Sequence, residues 1–128
     1  MSRLRYLFDS TLFIDFLNRR PESRPWIIDI DPAQAAVSSV TCAEVLAGCK
    51  TEDQWQTALE LLQMYHCYPV TFSDAKLAAK ARLEFNFKLP DAFQAAVALQ
   101  HKLTLITRNT KDFDPKIHKF VNIPYRLK

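Results

Sequence analysis

Short apolar runs alternate with helical patterns along the whole chain, which predicts an α/β domain: a mainly parallel sheet with helices on both faces, a three-layer α/β/α sandwich. Two observations carry this. The runs at residues 5–8 and 103–107 have the length and the aliphatic or β-branched content of buried strands. The stretch TEDQWQTALELLQMYH between them repeats apolar residues at helical spacing. With 128 residues, 48% of them hydrophobic, the chain can bury one proper core but not two, so one domain over residues 1–128 is expected.

The elements follow in order. Residues 5–8 form a first strand, and Leu12, Phe13, Phe16 and Leu17 then mark a helix. Pro21 and Pro25 break the chain, Trp26 to Ile28 suggest a short helix, and DIDPAQ reads as a turn before a second strand at 35–40. TCAEVLAG has the form of a small helix, with Thr41 as its cap, Glu44 completing a capping box and Gly48 as its stop. A second cap, Thr51 with Gln54, opens an amphipathic helix whose inner face is Trp55, Leu59, Leu62 and Tyr65. A third strand is expected at 68–72. Ser73 then caps a helix that turns Leu77, Ala81 and Phe85 inward and Lys76, Lys80 and Glu84 to water. Beyond Pro90 the alanine-rich DAFQAAVALQH is a helix able to approach a sheet closely; the strand at 103–107 and a last short strand at 120–123 complete the order.

Composition excludes several chemistries. A single glycine, Gly48, leaves no P-loop, dinucleotide fingerprint or GxSxG nucleophile elbow. Cys42, Cys49 and Cys67 form an odd set without CxxC spacing, which suits reduced thiols better than a disulfide framework or a zinc site. Cys42 lies inside an apolar helix with nothing to order a histidine beside it, so thiol catalysis is not expected. The net charge of +3 permits a polyanionic partner without requiring one. No apolar run reaches the roughly 18 residues of a membrane span, and Asp9 interrupts the only stretch that imitates a signal peptide; a cytoplasmic protein is expected.

The acids remain. Singly, each has a local explanation: Asp9 caps the first helix, Glu44 belongs to a capping box, and Asp91 is a cap or first-turn acid after Pro90. Together they suggest more, because open α/β sheets bind ligands at the carboxyl ends of their strands, where helix N-termini gather. Asp9 directly follows one strand, and Asn109 and Asp112 follow another. Carboxylates gathered over one edge repel one another unless a cation lies among them, and hard oxygen donors select Mg²⁺ or Mn²⁺. Asp15, six residues past Asp9, points away from it on any helix begun there and reads as a surface acid or a support behind the site. Trp55 and Phe93 are expected in the core rather than as stacking platforms for bases.

FDSTLFIDF, SSVTCAEVLAG, KLPDAFQAAVAL and LTLITRNTKDF, in this order over essentially the whole chain, resemble the PIN domain, and most closely the VapC-type toxins of toxin–antitoxin pairs. The resemblance implies an α/β/α sandwich and a Mg²⁺-dependent endoribonuclease, with Mn²⁺ as substitute, that cuts RNA with metal-activated water. Carried over by position, Asp9, Glu44 and Asp91 are its metal ligands and Thr107 the hydroxyl at the strand end. Asn109 stands where many members have a fourth acid, and an amide brings no negative charge; Asp112 can supply the carboxylate instead, or three acids suffice. Thr11 replaces an asparagine often found two positions after the first acid. Arg108, Lys88 and Lys111 are candidates for RNA phosphates. The resemblance also implies a small antitoxin seated on an apolar groove, and self-pairing of the domain. Two alternatives stay open at this level: a catalytically weak PIN-like module that binds RNA or protein, and a housekeeping RNA-processing nuclease.

Overall fold

The computed structural model describes residues 3–127; residues 1, 2 and 128 of the expected domain lie outside that range. Its five strands are β1 (Tyr6–Phe8), β2 (Ala35–Ser38), β3 (His66–Tyr68), β4 (Thr104–Ile106) and β5 (Val121–Asn122). They form one sheet in the order β3-β2-β1-β4-β5, with every neighbouring pair parallel. The helices are α1 (Ser10–Leu17), α2 (Ser39–Ala47), α3 (Glu52–Leu62), α4 (Phe72–Phe85) and α5 (Leu89–His101); between α1 and β2 lie two 3₁₀ turns (Pro21–Ser23 and Pro32–Gln34) and a π-helical turn (Pro25–Asp29), where the sequence suggests a short helix. Among the described residues no helix is long and apolar enough to cross a membrane.

Side-chain alternation along the strands builds the three layers. Leu7, Ala36, Leu105 and Val121 face one side, where Ala78 of α4 and Ala92, Ala95 and Ala96 of α5 pack on them. Phe8, Ala35, Val37 and Ile106 face the other, against Leu12 and Phe13 of α1, Val45 of α2 and Ala58 and Leu62 of α3. The alanines of α5 give that helix the close approach its sequence predicts.

Several boundaries differ from the sequence reading, each for a physical reason. β2 stops at Ser38 because Ser38 is the cap of α2: its Oγ accepts the Thr41 amide at 3.2 Å. Thr41 is therefore the third residue of that helix and Glu44 belongs to no capping box. Gly48 does end α2, but at φ −81°, so no left-handed turn is involved. Thr51 caps α3 as expected, yet Gln54 Oε1 receives the amide of Lys50 rather than that of the cap. That helix ends at Leu62, and Tyr65 reaches the core from the following turn, its ring 5.3 Å from that of Phe13. Trp55 is 44% exposed instead of buried, since Ala58, one turn on, is the first residue of α3 that the core covers.

The third strand lies at His66–Tyr68 rather than 68–72, because Pro69 has no N–H to extend a ladder. Thr71, not Ser73, caps α4 in a full capping box with Asp74: Thr71 Oγ1 accepts the Asp74 amide at 3.2 Å and Asp74 Oδ2 accepts the Thr71 amide at 3.0 Å. Phe85 lies at the end of α4 and is 44% exposed, while Phe93 is partly buried against the α5 side of the core. α5 begins at Leu89, one residue before Pro90, whose missing N–H costs nothing in a first turn. Replacing Thr71 by Ala removes one cap and is expected to cost about 1 kcal/mol, a fall in Tm of about 3–5 °C by thermal denaturation.

Candidate active site

In this strand order β1 is central, with the chain moving to β2 on one side and later returning to β4 on the other. The crevice outside the carboxyl ends of β1 and β4 is thus the topological switch point, where doubly wound sheets take their ligands. Asp9 follows β1 at this place, and Thr107, Arg108 and Asn109 follow β4.

Asp9 occupies the cap position of α1, yet its side chain makes no capping hydrogen bond. It is buried, 4% exposed, and its carboxylate is bound instead by groups from elsewhere in the chain. Gln94 Nε2 donates to Oδ1 at 2.9 Å, and Thr107 Oγ1 donates to Oδ2 at 2.7 Å, with Thr11 Oγ1 further off at 3.4 Å. Gln94 is itself fully engaged: its other amide hydrogen goes to Thr41 Oγ1 at 2.6 Å and its Oε1 accepts from Ser38 Oγ at 2.7 Å. One buried side chain of α5 thereby ties the end of β1 to the cap of α2. The sequence reading passed over Gln94; the available signal was a lone amide on the inward face of an otherwise apolar helix, three residues after Asp91.

The other acids face the same crevice. Glu44 lies at its solvent-exposed rim, where loss of hydration and then the charge of Asp9 push its carboxyl up, opposed by a hydrogen bond with Ser10. Asp91, in the first turn of α5, is pushed up to about 7, first by burial, then by the charges of Asp112 and Asp9, a hydrogen bond with Asp112, and the charge of Glu44. Asp112 is held from behind by Asn109, whose Nδ2 donates to Asp112 Oδ2 at 2.9 Å and whose Oδ1 accepts the Asp112 amide at 3.2 Å. Asn109 is thus committed to Asp112, and it is Asp112 that stands beside Asp91.

The cluster suits a cation in its chemistry, as Asp91 lies within electrostatic reach of Asp112, Asp9 and Glu44, and Glu44 within reach of Asp9. It is not a preformed cage: among the described residues no three Asp, Glu, His or Cys side chains have the spacing of a closed metal site. Mg²⁺ does not require one, because it commonly binds through one or two carboxylates and keeps several waters. The oxygen donors this crevice offers are the carboxylates of Asp9, Glu44, Asp91 and Asp112.

Of the two readings of Asp15, a surface acid or a support behind the site, burial rules out the first. The residue is 3% exposed and receives Arg108 in a fork, Nε to Oδ2 at 2.6 Å and Nη2 to Oδ1 at 2.9 Å, together with the Tyr125 hydroxyl on Oδ2 at 2.7 Å. The charge and hydrogen bonds of Asp15 hold Arg108 firmly protonated. Lys88, at the cap position of α5, and Lys111, in the turn after β4, are both exposed.

A parallel five-stranded sandwich with acids gathered at its switch point is the class of protein this geometry defines, and the family model for the PIN domain matches residues 6–115. The chain belongs to the PIN-domain family. In structure it is similar to a chain of a toxin–antitoxin complex from Klebsiella pneumoniae, at 35% identity and a TM-score of 0.86, over 95% of this chain and 99% of that one. It shares its fold with a chain of FitAcB from Neisseria gonorrhoeae (22% identity, TM-score 0.77, 95% and 99% covered). The same holds for a chain of VapBC2 from Rickettsia felis, bound to a DNA fragment from its promoter (21% identity, TM-score 0.72, 86% and 91% covered). A sequence comparison with curated proteins found no match.

Two expectations follow from this geometry. Asp91 moves from 3.8 to about 7 on folding, so between those values the folded chain keeps a proton that the unfolded chain has released. Its stabilising contribution is complete below the lower value and is lost as pH rises through the upper one. The Tm of the metal-free protein in EDTA should fall from pH 5 to 8, and Asp91→Asn should flatten that slope; an equal slope in the variant would contradict the crowding of acids. Gln94→Leu strands buried polar atoms on Asp9, Thr41 and Ser38, and denaturant unfolding should show a loss of about 2–4 kcal/mol.

Proposed function

We propose that this chain is a metal-dependent endoribonuclease and the toxin of a toxin–antitoxin pair. The observation that carries the reading is the carboxylate of Asp9, buried at the switch point, unused as a helix cap and within electrostatic reach of Glu44 and Asp91 from two other segments. Support for the toxin role comes from the 35% identical chain of the Klebsiella complex and from the sequence resemblance to VapC-type toxins.

Asp9, Glu44 and Asp91 would hold Mg²⁺ or Mn²⁺, with Asp112 completing the set. A cation held by these residues would offer positive charge to a phosphodiester oxygen and would lower the pKa of a water, so that hydrolysis would need no covalent enzyme intermediate. The chain's own groups do the positioning. Gln94 and Thr107 fix both oxygens of Asp9, and Asn109 fixes Asp112. Asp91 shares a hydrogen bond with Asp112, and the proton on that carboxyl must leave before both acids can serve as ligands. Lys88 and Lys111, both exposed and close in sequence to Asp91 and Asp112, would meet phosphates flanking the scissile bond. The antitoxin would seat on the hollow of about 610 Å³ between α1, α2 and α3, lined by Ile14, Leu17 and Val45 together with Arg19 and Lys50.

Mixed RNA incubated with the purified protein and Mg²⁺ should be cleaved, EDTA should stop the reaction and Mn²⁺ restore it. Asp9→Asn and Asp91→Asn should each lower the rate on the order of a hundredfold or more while leaving the circular dichroism spectrum unchanged. Cleavage at the wild-type rate in both variants would refute the mechanism. RNA retained in EDTA and never cut would identify a binding module instead.

A further inference from the structure

The family match ends at residue 115, yet the segment after it joins the strand end that carries Thr107. β5 pairs with β4 through Leu105↔Val121 and Ile106↔Asn122, and the ladder continues one step to the Thr107 amide, which donates to the Asn122 carbonyl at 3.3 Å. This carries the chain past the carboxyl end of β4 and sets Tyr125 against α1. There the Tyr125 hydroxyl donates to Asp15 Oδ2, the same oxygen that takes Arg108 Nε. A planar guanidinium gripped at two nitrogens by a buried carboxylate has one orientation, and a third donor on that carboxylate fixes the acid in turn.

Arg108 sits between the two residues that shape the site. Thr107 donates its hydroxyl to Asp9, and the Asn109 amide donates to Thr107 Oγ1 at 3.0 Å while the Asn109 side chain holds Asp112. The Arg108 amide donates to Thr11 Oγ1 at 3.1 Å, and Thr11 in turn faces Asp9. The side chain of Arg108 is therefore the anchor of the loop whose other members touch the acids.

We propose that the C-terminal segment through Tyr125 is a strap that, acting on Asp15 and Arg108, positions the loop 107–112 and with it Asp9 and Asp112 for cation binding. Arg108 and Tyr125 are positioning residues; neither touches the reacting atoms. The inference deepens the reading of the acids as a cation site and rests on it, but the loop's rigidity can be measured without metal or RNA.

The test compares the wild-type chain with Tyr125→Phe and Arg108→Lys, both of which keep volume or charge while removing the third donor or the planar fork. Hydrogen exchange on the metal-free proteins should speed up by about tenfold at amides 107–113 in each variant, with the amides of β1 and α5 unchanged. Calorimetric Mn²⁺ affinity should fall by about three- to tenfold, and kcat for RNA should fall while KM stays within about twofold of wild type. Unchanged exchange at 107–113 in both variants overturns the strap, as does uniform acceleration over the whole chain, the sign of a merely structural role. A raised KM with normal kcat and exchange for Arg108→Lys would make Arg108 a phosphate contact. If the wild type neither binds Mn²⁺ nor cuts RNA while exchange changes locally, the strap survives and the nuclease reading fails.

Discussion

A carboxylate taken out of water must find partners, and the burial of Asp9 governs how the rest of this structure is assembled. Stripping such a group of hydration costs several kcal/mol unless hydrogen bonds replace it. Here the replacement comes from α5 through Gln94, from the end of β4 through Thr107 and, more distantly, from α1 through Thr11. Gln94 can serve only because Ser38 and Thr41 occupy its remaining groups. Segments from four parts of the chain are thus registered against one oxygen pair, and a small displacement of any of them would leave a buried polar atom without a partner.

Such an arrangement is expensive for stability alone. An apolar residue at position 9 would fill the same space without demanding donors, and well-packed hydrophobic replacements of buried polar networks are often neutral or stabilising. Asp91 adds to the cost, since burial and its neighbours hold it at about 7. Destabilised acids gathered in a crevice are the mark of a site rather than of a scaffold. The acids lie in the opening that the strand order of this PIN-domain chain leaves at its switch point.

A second buried acid, Asp15, is handled differently. It meets a full countercharge in Arg108 and a neutral donor in Tyr125, so it is matched within the protein and has no need of an ion. The contrast between the two carboxylates, both at most 4% exposed and both on or beside α1, separates an acid held by neutral donors alone from one that meets a full countercharge.

Local patterns determined a good deal. The alternation of Leu7 and Phe8 and of Leu105 and Ile106, the alanines of α5, and the order of elements all follow from short-range periodicity, because strands and helices expose their buried faces at fixed spacing. The order of elements also set Asp9, Asn109 and Asp112 just after strands, whereas Glu44 and Asp91 joined them through the resemblance to the PIN domain and not through periodicity. Element ends were less legible: Thr41 and Ser38 are equally good caps on paper, and only the pairing of β2 with β1 and β3 decides where the ladder must stop. What tertiary structure alone could settle was partnership between residues far apart in sequence. Gln94 lies 85 residues from Asp9, and Tyr125 lies 110 from Asp15. No periodicity records such distances, because a hydrogen bond depends on where folding brings two atoms and not on the length of chain between them.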